Sequence, residues 1–393
     1  AGNESESESY GPVQSVANGS DTTPPSDVTG LVGEAGDGYV YLSWTPSADG
    51  DLDVVSQVVD YSVNGEAYGG AVTLGKDTEE YIAEGLANDS EYVFRVRAKD
   101  GAGNLSGDAV TGTLTPSAGA VRTVGGTIDG ESRWTIGVYH VSSDVTVSSG
   151  GSLWIGPGVV VKFGSGVGMS VNGELEVAGS ESEPVICTAY TDDTAGGDTN
   201  GDGTSEGSAG YWRDVYLSGS AVARIEHAEI RYAGSGGAGL DVRCDAEIVS
   251  SRIVDCGNTG IYTYDASALI EGCEIAGNGE HGIYCRAVSA VSPEIRENAI
   301  DGNGEHGIYV WDAEVSPLIV DNTIGTIEGN GGYGIYYAEA SVPGACSGNT
   351  VSGNGSAVRI PFCALPATGD GNNYTGNTRD VIEVVGNTLE RSG

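Results

Sequence analysis

Gly277-Asn278-Gly279-Glu280-His281-Gly282-Ile283-Tyr284 returns almost unchanged as Gly302-Asn303-Gly304-Glu305-His306-Gly307-Ile308-Tyr309. The Gly-Ile-Tyr core of this unit also stands at Gly260-Ile261-Tyr262 and Gly334-Ile335-Tyr336, so the four copies begin 22, 25 and 27 residues apart. Self-similarity at such a period marks a solenoid, in which each unit stacks on the last. A second column tracks the first: Ile230, Ile253, Ile275, Ile300, Ile324 and Val351. One unit cannot shield these side chains alone. Stacking closes them, and each buried aliphatic contributes roughly 1.5 to 3 kcal/mol over exposure. Asn298, Asn322 and Asn349 each lie two residues before a member of that column. This predicts an asparagine ladder whose amides bond along the stack and satisfy one another. Cys273 holds the equivalent place, where it reads as a packing residue.

Upstream, the same texture continues in short apolar strands punctuated by Gly or Ser: Val145-Thr146-Val147, Leu153-Trp154-Ile155, Val159 to Phe163, Met169-Ser170-Val171 and Leu175-Glu176-Val177. A linker, Thr115-Pro116-Ser117, separates this region from a different pattern. There, alternating strands such as Val40-Tyr41-Leu42-Ser43-Trp44 and Tyr92 to Arg97 are divided by Gly, Asp and Asn turns at the spacing of a β-sandwich, with Trp44 as its core plug. The expected organisation is a Ser/Glu-rich tail over 1–21, a sandwich over 22–117 and a solenoid over 118–393 with a polar insertion near 190–210. The tail has too little apolar surface to fold alone.

Two resemblances follow. Pro24-Pro25, Val28-Thr29-Gly30-Leu31, Trp44-Thr45, Leu86, Tyr92 and Lys99-Asp100-Gly101-Ala102-Gly103-Asn104 together resemble the fibronectin type III domains of microbial surface proteins. That resemblance implies that Leu86 and Tyr92 form a tyrosine corner, a structural device. The repeats resemble the right-handed parallel β-helix repeat proteins of the microbial cell-surface type. Leu153 to Phe163, Gly173-Glu174-Leu175 and Ile230 to Gly234 are similar to their opening rungs. The fold class implied is all-β, a type III sandwich plus a parallel β-helix. Such a solenoid carries lyases, hydrolases, adhesins and structural proteins alike, so it does not name an activity.

Composition bounds the partners. The chain of 393 residues carries a formal charge of −39, with 17 Lys and Arg against 56 acids. Such a field repels nucleic acid and anionic lipid and favours solubility and cation binding. No apolar run approaches the ~20 residues of a membrane span. Beginning at Ala1 with no signal-like segment fits a signal peptide already removed. Sequons at Asn3, Asn18, Asn88, Asn104, Asn354 and Asn373 fit a secreted protein, though Gly/Asn/Ser-rich sequence yields them by chance. The seven cysteines all follow residue 186, with no CxxC pair, and read equally as cross-rung disulfides or as small core residues.

The sharpest chemical motif is Asp198-Thr199-Asn200-Gly201-Asp202-Gly203, with oxygen side chains at alternate positions and Gly sixth, as in calcium loops. Residue 209 is Ala where a bidentate Glu belongs, so Glu206, Asp192 or Asp193 would complete a structural Ca²⁺ site with Asp198, Asn200 and Asp202. The duplicated Glu280-His281 and Glu305-His306 stack about one strand spacing, ~4.8 Å, apart, which would allow metal or acid–base chemistry. The next rung has Gly332-Tyr333 there, so simple repetition also explains the pair. A uronate lyase needs cations around the substrate, yet the solenoid holds one lysine, Lys162, which reads as an ordinary strand-edge residue. Asp241, Asp265 and Asp312 offer carboxylates for glycoside hydrolysis without fixing a separation. Trp311 with Tyr262, Tyr284, Tyr309 and Tyr336 would stack either on sugars or on one another.

The expectation is a secreted, cell-surface structural protein that self-associates, head to tail through its last rung Val381 to Leu389, or adheres to other surface proteins. The alternative is a polysaccharide-active β-helix lyase or glycoside hydrolase, or a carbohydrate-binding adhesin.

Overall fold

The computed structural model describes residues 21–48, 53–338, 344–361 and 371–385. The Ser/Glu tail before Asp21, Cys363 and the part of the last rung after Val385 lie outside them. All regular elements of the described residues are strands, and no helix there is long and apolar enough to cross a membrane. The chain divides into two units, residues 1–120 and 121–393.

In the first unit, strands Thr29–Ala35, Tyr39–Thr45 and Glu80–Glu84 form one antiparallel sheet, and Gly69–Gly75, Val54–Val63, Tyr92–Asp100 and Ala109–Val110 form another. Period-two alternation turns Val40, Leu42 and Trp44 inward against Val59, Phe94 and Val96. Trp44 brings a polar N–H into that core, and Gln57 absorbs it. Its Oε1 accepts from the indole at 2.6 Å, and its Nε2 donates to the carbonyls of Lys76 and Thr78. The Tyr92 phenol oxygen accepts the Ala87 N–H at 2.9 Å, which is the tyrosine corner.

The second unit is a solenoid of parallel strands with three faces. Between Glu229 and Val351, strands Ala228–Arg231, Arg252–Val254, Glu274–Ala276, Ala299–Asp301, Thr323–Ile324 and Thr350–Val351 stack to make the first face. The second is built by Ala238–Val242, Thr259–Tyr264, Ile283–Arg286, Ile308–Val310, Tyr333–Tyr337 and Ser356–Pro361. The third runs through Glu247–Val249, Leu269–Glu271, Glu294–Arg296, Leu318–Val320 and Cys346–Ser347. Its partners are also parallel. The register places Ile261, Ile283, Ile308 and Ile335 opposite one another, and Ile253, Ile275, Ile300 and Ile324 likewise, all fully buried. Both columns seen in the sequence therefore line one continuous core.

Two asparagine ladders stand at the corners. The expected one contains Asn298, Asn322 and Asn349 and continues to Asn372. A second, absent from the sequence reading, contains Asn278, Asn303, Asn330, Asn354 and Asn377. Each rung uses the same geometry: the Asn303 amide N donates to Asn330 Oδ1 at 2.8 Å and to the Ile275 carbonyl at 3.1 Å. Each ladder residue follows a left-handed one, such as Gly277 (φ 65°) and Gly302 (φ 62°), which turns the corner and aims the amide inward. The glycines of the Gly-Ile-Tyr motif answer to the same packing. A Cβ on Gly282 would lie 2.7 Å from the Gly307 carbonyl and 2.9 Å from the Asn303 amide N.

All six described cysteines are free, and Cys187, Cys244, Cys256, Cys273 and Cys285 are buried. Cys273 stands at the foot of the first ladder, its N–H donating to Asn298 Oδ1, in the packing role expected of it. Burial pushes the Cys256 thiol up to about 12, so it stays protonated.

Candidate functional site

Among the described residues, the second face carries a continuous outward aromatic array. Because side chains alternate along a strand, Ile261, Ile283, Ile308 and Ile335 point in and the next residue points out. Tyr262, Tyr284, Tyr309 and Tyr336 therefore form one straight outward column. Neighbouring ring centroids are 5.2, 4.8 and 5.0 Å apart, at interplanar angles of 61, 28 and 73°. These rings are half-buried, so they pack on one another and still present their rims to solvent. Trp311, two residues beyond Tyr309, is 45% exposed and meets that ring edge-on at 5.6 Å. Burial raises the pKa of Tyr262, Tyr284 and Tyr309, so the phenols keep their protons and can donate hydrogen bonds.

Arginines bracket the column and are committed to partners. Arg243 forks onto Asp241 with two contacts of 3.0 Å. Arg286 donates to Asp312 at 3.2 Å. Arg359 donates to the Tyr337 carbonyl and lies 4.5 Å from the Tyr336 ring centroid.

His281 and His306 flank the same column and stack at 5.2 Å. The Nδ1 of His281 accepts the His306 backbone N–H, and the Nδ1 of His306 accepts that of Tyr333 at 3.0 Å. That places the remaining proton on Nε2, and the His281 Nε2 lies 3.3 Å from the Glu305 carboxylate. Burial lowers both histidines to about 4, with their mutual proximity adding for His306. They are neutral at pH 7 and their acceptor nitrogens are occupied. The pair thus serves as a hydrogen-bonded extension of the stack, and Tyr333 continues it on the next rung, which lacks His.

The insertion near 190–210 separates the expected calcium residues. Asp193, Asp198 and Asp202 each bring a carboxylate oxygen within 4.8 Å of the other two. Asn200 joins them through its amide, which donates to Asp202 at 2.8 Å. Asp192 faces away, buried under Thr188, Thr194 and Arg231. Burial opposes its charge, but the hydrogen bonds of those threonines and of Arg231 outweigh it and hold its pKa down. Glu206 is exposed and outside the group of three. The Oδ1 of Asp193 and the Oγ1 of Thr199 are buried with no hydrogen-bond partner, and an all-oxygen donor set of this kind fits a hard cation. Lys162 differs from its expected place at a strand edge. The insertion folds over it, so it is fully buried, donates to the Gly197 carbonyl at 2.5 Å and has its pKa lowered by burial.

A shallow groove of about 620 Å³ runs along the start of the third face, past Trp154, Glu174, Glu176 and Arg224. The guanidinium of Arg133 sits 4.2 Å from the Trp154 ring centroid and covers one side of it.

Residues 23–111 match the fibronectin type III domain, and residues 213–389 match the right handed beta helix region. The protein is therefore a fibronectin type III domain joined to a right-handed parallel β-helix. Among curated relatives, Protein bark beetle of Drosophila melanogaster is 37% identical over 65 residues, covering 16% of this chain and 2% of the relative. Chitinase Chi52 of Paenibacillus xylanexedens is 33% identical over 121 residues, covering 30% and 21%. Exoglucanase B of Cellulomonas fimi is 27% identical over 302 residues, covering 70% and 26%. The chain thus spans about a quarter or less of the length of these relatives.

Proposed function

We propose that this protein is an extracellular, cell-surface adhesin whose β-helix binds polysaccharide along its second face, with the type III domain as a spacer. The observation that carries this reading is the in-register column of Tyr262, Tyr284, Tyr309 and Tyr336, with exposed Trp311 edge-on to Tyr309. Half-buried rings with hydroxyl tips combine an apolar body with a polar end, as sugar recognition requires. Two relatives named as a chitinase and an exoglucanase support a polysaccharide setting. Binding is preferred to turnover because the two histidines of the face have their acceptor nitrogens committed to backbone N–H groups, and the carboxylates Asp241 and Asp312 are engaged by Arg243 and Arg286.

A glycan array probed with the full chain and with Trp311→Ala tests this. Trp311 is exposed, so its removal leaves the core intact. Retention of at least one polysaccharide by the wild type and weaker retention by the variant are expected. No retention of any glycan, or equal retention by both proteins, overturns the proposal. Self-association of the solenoid is a separate proposal, tested by sedimentation of the native protein, where monomers alone would end it.

A further inference from the structure

The chemistry around the aromatic column also selects the kind of polysaccharide, an inference that rests on the binding role just proposed. A ligand carrying a carboxylate on each sugar needs unpaired cations, preferably forks that take a carboxylate with two hydrogen bonds. The arginines beside this column already have partners. Arg243 is held by both oxygens of Asp241, Arg286 is held through Nε by Asp312, and Arg359 donates to the Tyr337 carbonyl and lies against the Tyr336 ring. To engage a uronate, Arg243 and Arg286 would each have to abandon a carboxylate partner of the same kind, so that exchange yields no net gain. Glu280, Glu305 and Glu383 add negative charge along the histidine side, where the Tyr333 phenol donates to Glu383. The histidines supply no compensating charge at neutral pH, because burial keeps both neutral.

Geometry restricts the shape as well. Four rings in parallel register form a straight line, with one ring per rung and centroids 4.8 to 5.2 Å apart. An extended glycan repeats its pyranose unit over nearly one rung, so successive sugars meet successive rings, whose planes turn by 28 to 73° from one to the next. A coiled glycan loses that register after one or two units. From Tyr262 to Tyr336 is three rung spacings, roughly 15 Å, which accommodates about four sugars.

We infer that the ligand of the second face is an extended, uronate-free glycan, bound along the solenoid axis at about one sugar per rung. Its hydroxyls meet the phenol rims and the polar edges of the Arg243–Asp241 and Arg286–Asp312 pairs, which act as fixed donor–acceptor couples.

Affinity electrophoresis of the full chain in gels containing cellulose ether, glycol chitin, starch, polygalacturonate or alginate tests this at fixed ionic strength. Retardation by one of the extended neutral polymers, with none by the two polyuronates, is expected. Affinity for soluble oligomers of the retarding polymer should rise up to about four sugars and then level off. The double variant Asp241→Asn/Asp312→Asn frees both guanidiniums, and should gain polyuronate binding on the order of tenfold. Wild-type retardation by polyuronate equal to or stronger than by neutral polymer overturns the inference while leaving the binding role standing. So does preference for starch. Absence of retardation in every gel overturns the binding role itself.

Discussion

Replacement of Asn303 by Ala attacks the β-helix where its polar interior is most concentrated. Asn303 is 1% exposed and takes part in four side-chain hydrogen bonds. Its amide N donates to the Ile275 carbonyl and to Asn330 Oδ1, and its Oδ1 accepts both the backbone N–H and the side-chain amide of Asn278. In the variant the two Asn278 donors lose their acceptor inside a dry corner. Each buried donor left unsatisfied costs about 1–3 kcal/mol, so the substitution should cost about 4 kcal/mol once relaxation is allowed for. With a urea dependence of roughly 2–3 kcal/mol per molar, the unfolding midpoint of the solenoid should fall by about 1.5 M. Asn303→Asp should be no better. It restores the acceptor for Asn278, but turns an oxygen toward Asn330 Oδ1 and buries a charge. Urea unfolding followed by circular dichroism measures the shift, and hydrogen exchange at the Asn278 amide localises it. A midpoint change below about 0.3 M, the scale of a surface substitution, would refute the ladder as a stabilising element.

Two further outcomes follow from titratable and oxygen groups. His281 and His306 have folded pKa values near 4, below the usual 6.5, so between those values the unfolded chain binds more protons. Their contribution is present above pH 6.5 and is lost as pH falls toward 4. It amounts to no more than about 3 kcal/mol each and less at the wet rim. Denaturation midpoints at pH 7.5 and 4.5 should therefore differ more in the wild type than in His281→Gln/His306→Gln, and equal differences would refute the burial argument. A structural Ca²⁺ is proposed for Asp193, Asp198 and Asp202, with the unpartnered Thr199 hydroxyl at hand. Calcium should then raise the melting temperature by several degrees relative to chelator, and Asp198→Asn/Asp202→Asn should abolish the rise; calorimetry without a binding heat would remove the site.

What the sequence disclosed and what it hid have different physical origins. The Gly-Ile-Tyr column was legible because Ile must face the core and Gly must clear the next rung's carbonyl and ladder amide, two local demands repeated each turn. Asn298, Asn322 and Asn349 were legible because they keep a constant offset from the first-face isoleucines. The second ladder breaks its offset at one rung: Asn278, Asn303 and Asn354 follow Ile275, Ile300 and Val351 by three residues, but Asn330 follows Ile324 by six. Its surviving signal is the dipeptide of a left-handed Gly and Asn, at Gly277-Asn278, Gly302-Asn303, Gly329-Asn330, Gly353-Asn354 and Gly376-Asn377. The burial of Lys162 and the withdrawal of Asp192 from the acidic loop were not legible. Both depend on where a long insertion folds back, and that is decided by contacts distant in sequence, such as Arg231 with Asp192.

The unequal repeat lengths also explain how the aromatic face can stay regular. Between Ile324 and Asn330 the chain gains extra residues, and they leave the corner as an outward loop, with Ile327 89% exposed. Asp301 holds that loop, its carboxylate accepting the N–H groups of Ile327, Glu328 and Gly329. Because the insertion is discharged at the corner, Asn330 still reaches Asn303, and Tyr336 still pairs in register with Tyr309. Ring spacing on the outer surface is therefore set by the ladder inside and not by repeat length. A solenoid of this construction can vary its corners freely while preserving a straight aromatic column. Under the binding role proposed above, any mutation that slips the ladder should weaken glycan retention even where it touches no ring.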